Sequence, residues 1–263
     1  YSVIRPRTNM SEILDDLGYG ANDLLNVSFV FIVEGKQDKS RLPLLIRKYY
    51  SETYDSEGNL SRIAIITTNS CTNIKTYANL KYMNQVYIKD NFLMIRDGDG
   101  KDREELKRQL CSYYARRNEE DADRLPRVTE KNVLVLKYYS FENYFLDPKV
   151  MAQIGILESE EQFYEIFLEK WKEYLHRLKS GQKLTEVIGR DIETAEDIKQ
   201  YMEEIKIYLR GHNLSAIYYG RFKENEPELL RQSIDAAPRE DFADILDPID
   251  SFLYFESRKK GQH

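Results

Sequence analysis

The chain has 263 residues, with 39 Lys and Arg against 45 Asp and Glu, a formal net charge of −6. That length suits one large domain or a domain with a sizeable insertion, and 41% hydrophobic with 32% charged residues argues against disorder and excludes collagen-like or mucin-like chains. The acidic balance argues against holding nucleic acid by bulk positive charge alone, but not against touching phosphates through metal ions.

The first half alternates strand and helix. Residues 1–26, with a short helix over Ser11–Leu17, read as a lead-in from something upstream. Ser28–Val33 is a continuous apolar, β-rich run, the pattern of a strand buried on both faces. Glu34-Gly35 ends it, and Asp38 or Ser40 caps a helix through Leu42, Leu45, Ile46 and Tyr49. A turn at Asp55–Asn59 leads to a second buried strand, Arg62–Thr68, and a helix over Thr72–Gln85. Phe92–Ile95 is a third strand ending in Asp97-Gly98-Asp99-Gly100; a helix over Asp102–Arg116 follows, then a fourth strand, Asn132–Lys137. Strands separated by helices, with no hairpin turns, predict a parallel sheet with helices on both faces. After Pro148 no β-rich run recurs. Helical spacing predicts helices over Glu158–Lys179, Ala195–Leu209, Leu214–Phe222, Glu226–Asp235 and Arg239–Phe255, with a frayed end at Ser257–His263. The expected organisation is a lead-in (1–26), an α/β core (27–148) and a helical extension that completes the domain (149–263).

No apolar run reaches the roughly 18 residues of a membrane span, and no signal peptide is legible. Cys71 and Cys111 lack C-x-x-C partners, which all but excludes a thiolate zinc site and favours a reducing cytoplasm. The 20 tyrosines read chiefly as half-buried packing of amphipathic helices.

In an open parallel sheet, functional groups collect at the carboxyl ends of the strands. Three such exits here carry carboxylates: Glu34 with Asp38 beyond the first strand, Asp97 and Asp99 beyond the third, and Glu142 beyond the fourth. Gathered in one crevice they repel unless cations are bound, and oxygen donors suit Mg²⁺ or Mn²⁺. The glycines around the aspartates permit a tight turn. Taken singly, Asp-Gly-Asp-Gly is a generic turn, Glu34-Gly35 an ordinary strand end and Glu142 an ordinary helix-start acid; their joint placement carries the metal site. An EF-hand loop counted from Asp97 fails, because Asp102 and Arg108 stand where Gly and Glu are needed. No P-loop is present. A phosphatase of the haloacid dehalogenase type calls for a hydroxyl where Lys101 stands, and leaves Glu34 unexplained.

Val30–Asp38, with Glu34-Gly35, and Leu93–Asp99, with Asp97-Gly98-Asp99, resemble a Toprim domain, the Rossmann-like fold of topoisomerases, primases and OLD-family nucleases. Tyr139-Ser-Phe-Glu142-Asn143-Tyr-Phe-Leu-Asp-Pro148 narrows the resemblance to Toprim nucleases associated with ABC-type ATPases, anti-phage defence effectors among them. Ile13–Leu25 is similar to the junction after such an ATPase. The resemblance covers roughly Ser11–Asp147 well and the helical half loosely. Two departures stand out. Thr68-Asn69-Ser70-Cys71 lacks the glycine usual after the second strand. In Arg210-Gly211-His212, His212 stands where a late lysine is expected, with Arg210 or Lys206 as alternative bearers of that role.

The resemblance implies a Mg²⁺- or Mn²⁺-dependent endonuclease, hydrolysing phosphodiester bonds of DNA or RNA, tRNA included, as the cytoplasmic effector of an ATPase-linked antiviral defence system. It implies two ions held by Asp97, Asp99 and Glu142, with Glu34 as ligand or general base, Asp38 reaching the second ion, and His212 as the catalytic basic group. It also implies an ABC-type ATPase domain or subunit and an oligomeric assembly as partners. The alternative is a degenerate module that serves an ATPase partner in assembly or sensing; the altered glycine loop and His212 favour it, and retention of the carboxylates favours the enzyme.

Overall fold

The computed structural model describes residues 27–67, 91–120 and 128–252. The predicted lead-in, the loop at 68–71, the helix over 72–85 and the frayed end lie outside the described residues. Four strands form one parallel sheet in the order β2-β1-β3-β4: β1 (Phe29–Val33), β2 (Ile63–Thr67), β3 (Phe92–Arg96) and β4 (Val133–Val135). Every residue of β1 is buried, as a central strand covered on both faces requires.

The period-two alternation of the strands divides the core. Val30, Ile32, Ala64, Ile66 and Met94 face Leu106, Leu110 and Tyr114 of helix α2 (Arg103–Glu120). Phe29, Phe31, Val33, Ile65, Leu93 and Ile95 face the other way. They meet Leu42, Leu45 and Ile46 of helix α1 (Lys36–Tyr49) in an apolar cluster that continues without a break into the helical half. That half comprises α3 (Pro148–Gln153), α4 (Glu160–Glu173), α5 (Lys179–Ile188), α6 (Ala195–Gln200), α7 (Met202–Tyr208), α8 (Gly211–Tyr219), α9 (Glu226–Ala236) and α10 (Ala243–Phe252). Local sequence sets several of its helix starts. Asp147, Ser159 and Thr194 accept from the backbone N–H of Val150, Gln162 and Asp197 in the first turns of α3, α4 and α6. No helix among the described residues is long and apolar enough to cross a membrane.

Four boundaries differ from expectation, the first three for identifiable reasons. Helix α1 starts at Lys36, at the strand exit itself, because the Asp38 carboxylate reaches back to the Gly35 N–H at 3.0 Å. Asp38 is therefore the third residue of the helix and not its cap. Strand β4 is only three residues long, since Asn132 leaves the strand to close a turn with Thr129 and donate to the Phe92 carbonyl. The helix expected over 158–179 breaks at Tyr174: the His176 ring bonds the Trp171 carbonyl at 2.6 Å, and Gly181 packs where a Cβ would overlap the Leu175 carbonyl. The helix expected over Ala195–Leu209 likewise breaks, at Tyr201, into α6 and α7.

One side chain fastens the sheet to the helical half. Asn143 is fully buried; its amide donates to the carbonyls of Lys206 and Leu209, 2.9 Å each, and its oxygen accepts from Ser140 Oγ at 2.9 Å. Tyr139 N–H adds a further bond to the Lys206 carbonyl, at 2.9 Å. Asn143→Ala strips the Leu209 carbonyl of this donor, leaves the Lys206 carbonyl to Tyr139 alone and takes the acceptor from Ser140 Oγ, at about 1–3 kcal/mol for a group left unpaired. Urea denaturation is expected to show a loss of about 2–4 kcal/mol, well above the few tenths expected of a surface change such as Lys149→Ala.

Candidate active site

In this strand order the chain leaves β1 to one side for β2 and then crosses to the other side for β3. The carboxyl ends of β1 and β3 therefore flank a topological switch point, where an open α/β sheet leaves a crevice. Val33 pairs with Ile95, so Glu34, one residue beyond the pair, and Asp97, two residues beyond it, emerge close together. A Glu34 carboxylate oxygen lies 3.4 Å from the Asp97 N–H.

The Asp97–Gly100 turn is held against the exit of β4. A Cβ at Gly98 would stand 2.5 Å from the Tyr138 carbonyl oxygen and 2.7 Å from that of Leu136, both backbone atoms, so only glycine fits. Asp99 N–H donates to the Tyr139 carbonyl at 3.0 Å, and Asp99 adopts φ 51°, a left-handed conformation that aspartate tolerates better than most residues. Sequence order thus becomes proximity: the turn after β3 lies on the segment that leads to Glu142.

Glu142 sits in the short helical turn Phe141–Phe145 with its side chain 12% exposed, and meets Arg41 Nη1 at 3.1 Å. Arg41, itself only 4% exposed, reaches Glu226 at the start of α9 with Nη2 at 3.0 Å. Burial pushes Glu142 up, but the Arg41 guanidinium, with the Ser140 hydroxyl, outweighs it and holds the carboxyl below its usual range. Asp38 is raised to about 6, by burial above all and by Glu142 and Glu34, against the pull of the Gly35 N–H and Arg41. Asp97 is raised furthest, to about 9, by burial and then by Asp38, Glu34, Glu142 and Asp99. No donor or cation among the described residues contacts the Asp97 carboxylate.

The same cleft also carries basic groups. Arg210 and His212 open α8, and with Gln37, Tyr139 and Ser140 they line one solvent-open cleft with Asp97, Asp99 and Glu142. A Cβ on Gly211 would overlap the Asn143 and Ser140 side chains, so Gly211 lets the start of α8 close onto the Glu142 turn. Lys206 does not line the cleft: its ammonium lies 5.1 Å from the Tyr138 ring centroid, and burial lowers its pKa despite Glu203, Asp147 and Asp241 nearby.

Glu34, Asp38, Asp97, Asp99 and Glu142 are thus in mutual electrostatic reach. Among the described residues, however, no three Asp, Glu, His or Cys side chains are arranged to hold a metal ion as they stand. The donors nonetheless fit a hard cation: all are carboxylates, and Asp97 is desolvated beside four others without a counter-charge of its own. Sequence reading missed Arg41, Gln37, Tyr139 and Ser140. The available signal for Arg41 was an arginine three residues after Asp38 and beside Leu42, on the helix face that turns toward the core.

Without divalent ions, the raised Asp38 and Asp97 mean that the folded chain binds more protons than the unfolded one between 3.8 and about 9. Stability therefore falls as pH climbs through that window. Glu142 acts in the opposite sense, its contribution being present at neutral pH and lost below the ordinary carboxylate range. Thermal melts in chelator are expected to show the melting temperature falling between about pH 5 and 9. Asp97→Asn should flatten that slope and melt at least about 3 °C higher at pH 8, the shift that about 1 kcal/mol gives in a chain of this size. A melting temperature that rises over the same range would contradict the burial and repulsion assigned to Asp97.

Comparison with family models, curated proteins and solved structures finds no match.

Proposed function

We propose that this chain is a Toprim-type nuclease domain that hydrolyses phosphodiester bonds of DNA or RNA with Mg²⁺ or Mn²⁺. The observation that carries the reading is the pairing of Glu34 with Asp97 at the switch point, with Asp99 and Glu142 beside them and Arg210 and His212 across the same cleft. Carboxylates and cationic or proton-donating groups in one cleft are what a phosphate ester needs. One side holds its counter-ions, and the other meets charge that develops in the transition state.

Glu34, Asp97 and Asp99 are the groups that hold a divalent ion, which when bound neutralises phosphate charge and acidifies water. Glu34 also takes the proton of the attacking water as the new P–O bond forms. Arg210 and His212 stabilise the negative charge on the phosphate and on the sugar oxygen as its bond to phosphorus breaks. Ser140 and Asn143 set the position of both basic residues through Gly211. The resemblance of the Tyr139–Pro148 segment supplies the rest of the reading: an ABC-type ATPase, as domain or subunit, in an oligomeric defence assembly whose substrate includes DNA or tRNA.

A second reading draws on the capture of Glu142 by Arg41 and on the lack of a ready-made ligand trio: the domain assembles with or senses an ATPase partner and cleaves nothing. Cleavage assays separate the two. With labelled DNA and tRNA and the chain in its ATPase assembly, cleavage is expected with Mg²⁺ or Mn²⁺ and not in chelator. Asp97→Ala should abolish it, and His212→Ala should slow it about 10²-fold, whereas His212→Lys should retain it. Equal rates for Asp97→Ala and the parent would sink the nuclease reading.

A further inference from the structure

We propose that Arg96, the residue before Asp97, binds a backbone phosphate of the nucleic acid beside the one in the cleft, so that the substrate strand crosses the sheet edge over the end of β3. The inference rests on the nuclease reading and adds to it a substrate contact outside the cleft and the path of the strand.

Two buried side-chain polar atoms among the described residues have no hydrogen-bond partner, Thr67 Oγ1 and Arg96 Nε. They are not scattered: Thr67 closes β2 and Arg96 closes β3, so both stand at the carboxyl edge. Arg96 is the more telling of the two because it carries charge. It follows Phe92-Leu-Met-Ile95, a run in which every residue is buried. An apolar residue would continue that run, whereas a desolvated donor left unpaired costs about 1–3 kcal/mol. Such groups are rare in folded proteins and call for a role that the chain alone does not supply. Nor does an ion pair answer the charge. Glu34, level with Arg96 one step beyond the Val33–Ile95 pair, reaches the Asp97 N–H, and no carboxylate among the described residues stands within ion-pair distance of the guanidinium.

The group is also held in place. The Arg96 carbonyl accepts from Leu136 N–H at 2.8 Å, which fixes its backbone in the sheet. With Nε buried and the residue as a whole partly exposed, the stem is packed and the outer end of the fork is open. Met94 faces α2, and period two puts Arg96 on that same side. Asp97, next in the chain, lines the cleft, and Arg96 does not. A strand whose scissile phosphate lies at Asp97 therefore passes over the end of β3 to bring a neighbouring phosphate to Arg96. A guanidinium matches that ligand, since its planar fork meets two phosphate oxygens at once. A chain of net charge −6 has to hold phosphates by placed cations of this kind and not by bulk charge.

Binding is measured apart from cleavage, by fluorescence anisotropy of labelled tRNA and single-stranded DNA with the full chain, Ca²⁺ replacing Mg²⁺, across a NaCl titration. Arg96→Met keeps the stem and removes the charge. It should weaken binding about 10-fold, whatever the base sequence, and lower the slope of log affinity against log salt by about one. It should melt no lower than the parent, because methionine continues the apolar run and removes an unpaired N–H. Arg96→Lys should bind more weakly than the parent but keep its slope, since the charge remains and the fork is lost. Parental affinity and slope in Arg96→Met overturn the inference and leave the nuclease reading standing. So does a loss of affinity with a melting temperature well below the parent's, which would make the arginine a packing residue. If Arg96→Met does not fold, the parent decides: phenylglyoxal should modify Arg96, read by peptide mass, and bound tRNA should protect it. Equal modification with and without bound tRNA overturns the inference. A parent that binds neither nucleic acid overturns the nuclease reading and the inference with it.

Discussion

Five carboxylates gather at the carboxyl edge of this sheet, and their mutual repulsion is the constraint to which the surrounding structure answers. The strand order creates the problem, because a switch point between β1 and β3 places the residues after both strands next to each other. The chain offsets it in three ways. A backbone N–H takes Asp38, a buried guanidinium takes Glu142, and the pKa of Asp97 rises so far that a metal-free crevice keeps a proton there at neutral pH.

The helical half is not an appendage to that crevice. It covers one face of the sheet with a continuous apolar cluster and brings Arg210, His212 and Glu226 to the edge where the acids stand. The Ser140–Asn143 turn is the joint: it carries Glu142 on one side and accepts Gly211 on the other. A polar joint of this kind specifies geometry more than it adds stability. Each bond replaces one to water, yet any misplacement leaves buried groups unpaired.

Much of the α/β half was legible because its signals are local. Continuous Val/Ile/Phe runs can be little else than buried strands, and the order of strand and helix dictates a parallel sheet. The carboxylates at strand exits were legible for the same reason, since topology alone puts them on one edge. What escaped was everything that depends on a partner distant in sequence. Arg41 reads as one more charge on an amphipathic helix until Glu142 and Glu226 are brought to it. The break at Tyr174 escaped because the apolar period runs straight across it; the His176–Trp171 bond and the tight seat of Gly181 decide otherwise. Asp38 was legible as a helix-start residue but misplaced by three positions, because its role is to reach backward and not to begin the turn.

A buried ion pair is weak evidence for stability, since the loss of hydration on both partners can exceed their attraction. That makes the Glu142–Arg41–Glu226 triad informative. If only the fold were at stake, apolar residues of similar volume would serve α1 as well, continuing the stripe of Leu42, Leu45 and Ile46. What the apolar version cannot do is hold a carboxylate ionised at the edge of the crevice while placing fixed positive charge beside it. The triad also couples two events that would otherwise be independent. Any shift of α9 that withdraws Glu226 leaves Glu142 as the carboxylate paired with the guanidinium and changes the charge balance beside the cleft. The acid–base balance of the site is in this way linked to the packing of the helical half, the part of the chain farthest in sequence from the strands that place the acids.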